Sequence, residues 1–139
     1  MRTSERGIAL IKKYEGCRRE AYVCPAGVWT IGYGHTGPEV VPGLVWSLEQ
    51  VDAALKQDLV RFETKVVDYD NIYHWTQNEF DALVSFAYNL GSIKNLTDLG
   101  KRTREEIKAH WCLYCKGGGK TLPGLVRRRE EELKLFSEP

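Results

Sequence analysis

Three side chains of complementary chemistry stand close together near the N-terminus: the carboxylic acid of Glu15, the thiol of Cys24 and the hydroxyl of Thr30. Hydrolysis of a glycosidic bond needs such a set. One protonated acid must meet the leaving oxygen, and a second group must activate water or offset charge in an oxocarbenium-like transition state. Tyr22, Trp29 and Tyr33 lie in the same stretch and offer flat faces for sugar rings, although aromatic residues there serve equally well as core.

The elements that must position these groups follow from periodicity and caps. Thr3 or Ser4 caps a helix running through Tyr14, with Ile8, Ile11 and Tyr14 on one face and Gly16 as the stop. Glu15 therefore sits at the negative end of the helix dipole, which disfavours its ionised form. A solvated, frayed helix end is the plainer alternative. Ala21 to Cys24 and Val28 to Tyr33 form two strands about a Pro25-Ala26-Gly27 turn. Gly32 and Gly34 mark a bend or a close backbone approach.

Beyond the hairpin the chain reads as helical. Ser47 and Gln50 form a capping box before a stripe of Val51, Leu55, Leu59, Phe62 and Val66. Thr76 and Glu79 repeat the box ahead of Phe80, Leu83, Val84, Ala87 and Leu90, with Gly91 as the stop. Thr103 and Glu106 open a third helix reaching Cys115. Gly117 to Gly119 read as a flexible connector, and Pro123 as an early position of a last helix to Phe136. Trp111 and Phe86 are assigned to the core. The expected fold class is α+β: a hairpin lobe (15–46), a helical lobe (1–14 and 68–139) and a linking helix (47–67).

Composition narrows the function. Twenty basic residues against nineteen acidic ones leave a net charge of +1, which argues against a dedicated nucleic-acid or membrane-surface binder. The tight basic run Arg127-Arg128-Arg129 is neutralised at once by Glu130-Glu131-Glu132. No segment approaches the ~20 apolar residues of a membrane span, and the run Ile8 to Ile11 is too short for a signal peptide. The chain is thus expected in the cytoplasm, unless an export anchor lies outside it. Gly117-Gly118-Gly119-Lys120-Thr121 lacks the earlier glycine of a phosphate-binding loop, since Tyr114 occupies that place. Cys112-x-x-Cys115 is compatible with half a zinc site completed by Cys17, Cys24 or His110, with a disulfide, or with ordinary half-buried cysteines. Placed inside a helix, the last is favoured.

Three segments together carry a family resemblance. Glu15-Gly16, Ala21-Tyr22, Gly27 and Thr30-Ile31-Gly32-Tyr33-Gly34-His35-Thr36 resemble the active-site signature of the phage-type lysozymes, the endolysins of phages and prophages. Thr76 to Gly91 resembles their central-helix motif. Gly118-Gly119-Lys120 with Leu122 to Glu130 resembles their C-terminal motif. The resemblance implies a two-lobe fold and a muramidase cleaving the β-1,4 bond between N-acetylmuramic acid and N-acetylglucosamine in peptidoglycan. It implies no metal or organic cofactor, peptidoglycan strands as partner, a monomer, and release from the cytoplasm to the cell wall.

Glu15 matches the family's general acid and Thr30 the threonine that positions water. Position 24 is usually Asp and here is Cys, as in some members. Cys24 then acts as a thiolate base or merely orients water. Glu20 is a substitute carboxylate only if its strand is regular. The competing function is a catalytically silent peptidoglycan-binding or regulatory module. His35 is expected to brace the site by pairing with an acid, and Arg128, or a neighbouring arginine, to support it from the last helix. A Cys17–Cys24 disulfide would cap the thiol until reduction or exchange released it.

Overall fold

The computed structural model describes residues 1–139. In chain order the elements are α1 (Glu5–Glu15), β1 (Arg18–Val23), β2 (Trp29–Gly32), β3 (His35–Thr36), α2 (Leu48–Val67), α3 (Asp70–Tyr73), α4 (Gln77–Leu90), α5 (Lys94–Thr97), α6 (Arg104–Trp111), β4 (Lys116–Gly117), β5 (Lys120–Thr121) and α7 (Pro123–Ser137). The class is α+β, as expected. Two compact units make up the chain, Lys12–Val60 and a second formed by Met1–Ile11 with Arg61–Pro139. The divisions fall inside α1 and α2.

In the 12–60 unit the sheet order is β1-β2-β3, antiparallel throughout. The turn joining β1 to β2 closes through Cys24 N donating to Val28 O (2.9 Å) and Gly27 N to Cys24 O (2.8 Å). Gly27 takes a φ of 80° there, a conformation that costs glycine little. β1 starts at Arg18 rather than Ala21, with a bulge between Arg18 and Tyr22. β2 stops at Gly32, whose φ of 70° bends the chain away. The buried apolar residues of this unit are Ile31, Val40, Val51, Ala54, Leu55 and Leu59.

The other unit is built on α4. Its Thr76–Glu79 capping box is complete, and every residue from Glu79 to Ala87 is buried. Ser4 caps α1, its Oγ accepting from Gly7 N, and Ser4 N donates to Asp81 Oδ1 at 3.0 Å. A Cβ on Gly7 would stand 2.8 Å from Asp81 Cβ, so glycine permits this approach. Phe86, Trp111 and Phe136 pack ring to ring.

Two expectations fail in this unit. α6 ends at Trp111, not Cys115, because its apolar stripe of Ile107 and Trp111 stops there and Leu113 faces solvent. Cys112 therefore caps α6 and Cys115 lies beyond it, just before β4. Nor are Gly117 to Gly119 a loose connector. Gly118 and Gly119 (φ 58° and 80°) form a two-residue turn between β4 and β5, which pair Lys116 with Thr121 and Gly117 with Lys120. The single-turn helices α3 and α5 carry no cap or stripe that sequence reasoning picks up.

A charged cluster is sealed inside the helical unit. Glu132 is fully buried; its carboxylate meets Arg129 Nε at 2.7 Å, off the hydrogen-bond direction, and Arg129 Nη2 at 3.1 Å. Arg128 Nε (3.3 Å), Ser85 Oγ and Trp111 Nε1 (3.3 Å) complete its shell. Burial pushes the Glu132 carboxyl up, and the two guanidiniums oppose it. Glu132→Gln would strand two buried cations, so a loss of about 3 kcal/mol is expected, or roughly 10 °C in Tm by calorimetry.

Candidate functional site

Glu15 is the last residue of α1 and is half-buried. Gly16 ends the helix with φ 68°, its N–H donating to Lys12 O at 3.2 Å. One turn back, Lys12 pairs with Asp52 of α2 (2.8 Å) and lies 5.4 Å from the Tyr33 ring centroid. The helix end is thereby tied to both α2 and the segment after β2. The acid is not on a frayed terminus.

Cys24 and Thr30 come together across the hairpin. Thr30 is buried, and its Oγ1 lies 2.9 Å from Val28 O. Its hydroxyl donates to that carbonyl and also lies close enough to the Cys24 thiol to favour the thiolate. Tyr22 is the register partner of Thr30, which puts both side chains on one face of the sheet. The Cys24 thiol is held below its ordinary value. Backbone hydrogen bonds from the turn at Val28 and Ala26 do most of this, and Thr30 adds to it.

Of the candidate sugar platforms, Tyr22, Trp29 and Tyr33 are all half-buried. Arg18 stacks over Tyr22, its guanidinium 4.4 Å from the ring centroid. Cys17 is exposed and its thiol bonds to Tyr33. All four cysteines are free thiols, with Cys17 and Cys24 on different partners. Glu20 is exposed, and the bulge in β1 breaks the strand regularity that its substitute role required. No group of three or more His, Cys, Asp or Glu side chains is arranged to hold a metal.

His35 is braced on both ring nitrogens. Nδ1 lies 2.7 Å from Asp58 Oδ2 and Nε2 2.6 Å from Glu39 Oε1, with Trp46 tilted against the ring. Burial pulls the imidazole's pKa down, but the bonds to Glu39 and Asp58 outweigh it and the net shift is upward. A raised folded-state pKa stabilises the fold fully below the unfolded value, about 6.5, and loses that contribution as pH rises through the folded value. In urea melts, His35→Gln should therefore cost most below about pH 6 and progressively less as pH rises through the folded value. Sequence reasoning missed Asp58. Its signal was a carboxylate beside the stripe Leu55–Leu59 of an amphipathic helix.

Arg128 belongs to the other unit, buried against Ser85 and Glu132, with its Nη2 donating to Ser85 O at 3.1 Å. Arg129 is equally buried, and Arg127 is exposed. No helix is long and apolar enough to cross a membrane.

The phage lysozyme family model matches residues 12–132. The endolysin of Lactococcus phage c2 is 40% identical over the whole chain, which spans only 62% of that relative's length. Among solved structures, the muramidase domain of SpmX from Asticcacaulis excentricus matches with a TM-score of 0.84 at 35% identity, covering 99% of both chains. The active form of the P1 phage endolysin Lyz also gives 0.84, at 30% identity, over 98% of this chain and 85% of the other.

Proposed function

Because the chain belongs to the phage lysozyme family, we propose that it is a muramidase hydrolysing the β-1,4 bond between N-acetylmuramic acid and N-acetylglucosamine in peptidoglycan. The observation that carries this reading is the Cys24–Thr30 pair on the hairpin that follows a half-buried helix-end acid. Glu15 donates its proton to the glycosidic oxygen as the bond breaks. A water held by Thr30 attacks the anomeric carbon, and the Cys24 thiolate takes its proton. Direct attack by water inverts that centre. Tyr22, Trp29 and Tyr33 present ring faces to the sugars.

A thiol is an acceptable base here because the turn amides and Thr30 favour its ionised form. His35 has no part in the chemistry, since both of its nitrogens are occupied by carboxylates. Its role is to hold β3 to α2. Arg128 supports the packing of α7 on α4. A Cys17–Cys24 disulfide would remove the base, so oxidised protein would be inactive until reduced.

Release of soluble muropeptides from purified sacculi, with and without reductant, tests the proposal. Binding without release would identify a silent peptidoglycan-binding module instead.

A further inference from the structure

Arg18 opens β1, and its guanidinium lies over the Tyr22 ring. The ring holds the long side chain in place by a cation–π contact. Its exposed neighbour Arg19 donates through Nε to Trp46 O at 2.9 Å, and Lys12 is paired with Asp52. Arg18, by contrast, makes no ion pair with any carboxylate of the protein, and it is exposed. Its fork of N–H donors is thus pre-oriented and directed to solvent.

The position of that fork matters. Tyr22 is paired with Thr30, and Thr30 meets the Cys24 thiol, so Arg18, Tyr22, Thr30 and Cys24 line one face of the β1–β2 hairpin. A planar, permanently charged fork at one end of such a strip matches a carboxylate in a bidentate fashion. Peptidoglycan differs from uncharged glycans of the same linkage in carrying carboxylates, on its stem peptides and, wherever no peptide is amide-linked to it, on the lactyl group of muramic acid.

Resting on the muramidase reading above, we propose that Arg18 is a specificity-determining residue that binds a carboxylate of the substrate while the adjoining sugar lies against Tyr22. An exposed ion pair of this kind is worth up to about 1 kcal/mol, equivalent to roughly three- to five-fold in affinity.

The test compares wild type, Arg18→Gln and Arg18→Lys on three substrates: peptide-bearing glycan strands, the same strands with carboxyls capped as amides, and strands stripped of peptide by an amidase. On native strands Arg18→Gln should raise KM about three- to five-fold with kcat kept, the signature of lost uniform binding. Arg18→Lys should recover part of the loss. On amide-capped strands the two proteins should become alike. Amidase hydrolysis frees the lactyl carboxyl that the peptide amide had masked, so persistence of the gap on stripped strands shows that Arg18 accepts either carboxylate, and its disappearance shows that it takes the peptide's alone. An equal gap on native and capped strands, or none on either, overturns the proposal. If wild type cleaves none of the three, the muramidase reading fails. Sedimentation binding of the same proteins to the same strands then decides the Arg18 question alone, with an equal gap or none again overturning it.

Discussion

Replacing Glu15 by glutamine is expected to lower turnover on sacculi by about 10²–10⁴-fold, the range a general acid contributes. Glutamine keeps the size and hydrogen-bonding reach of the side chain but has no acidic proton to give the leaving oxygen. The local fold should survive the change. α1 is ended by Gly16 at φ 68° and is anchored by Lys12 on Asp52, neither of which involves the substituted group. Thermal melts of the variant should therefore stay close to those of wild type, and sacculus binding should persist. A variant that retains more than a tenth of the turnover would remove Glu15 as the acid. A loss accompanied by a collapsed Tm would mean that the carboxyl serves the structure rather than the reaction.

Much of the helical framework was written plainly in local chemistry. The capping boxes at Ser47–Gln50, Thr76–Glu79 and Thr103–Glu106 all form, because each needs only residues three apart. The stripe Val51, Leu55, Leu59, Phe62 and Val66 is wholly buried for the same kind of reason. What escaped depends on partners distant in sequence. Three adjacent arginines beside three glutamates read as a self-neutralised run, with Arg128 or a neighbour expected to support the site. Instead, Arg128 and Arg129 turn inward onto Glu132, and Ser85 and Trp111 from other helices make that burial tolerable. The end of α6 and the Gly118–Gly119 turn are set by which residues find a place in the core. The pairing of Cys24 with Thr30 required the register of β1 on β2. The bulge after Arg18 has no strong signature in the sequence, yet it breaks the alternation on which a substitute role for Glu20 depended.

The sharpest chemical question is whether sulfur can do the work of a carboxylate at position 24, and a short substitution series answers it. Cys24→Ala should reduce turnover by about 10²–10⁴-fold if the group accepts water's proton. Cys24→Ser separates ionisation from hydrogen bonding. A hydroxyl at this position can still orient water, but it does not ionise near neutral pH. If the thiolate is the base, serine should fall nearly as far as alanine. Near-normal turnover in the serine variant would show that position 24 only holds the nucleophile.

Cys24→Asp should match or exceed wild type, with a diagnostic change in pH dependence. A base works only when deprotonated, so wild-type activity should rise with pH through the thiol's lowered value. In the aspartate variant that limb moves toward the carboxylate range, about pH 4, and activity extends to acid conditions where the wild-type enzyme is silent. The turn explains why the thiol tolerates the role at all. Its amides at Ala26 and Val28 are aimed at the position-24 side chain by the backbone, whichever residue stands there. The same hairpin can therefore stabilise an anion on sulfur or on oxygen. Identical acid limbs in the wild-type and Cys24→Asp profiles would place the ionising base elsewhere.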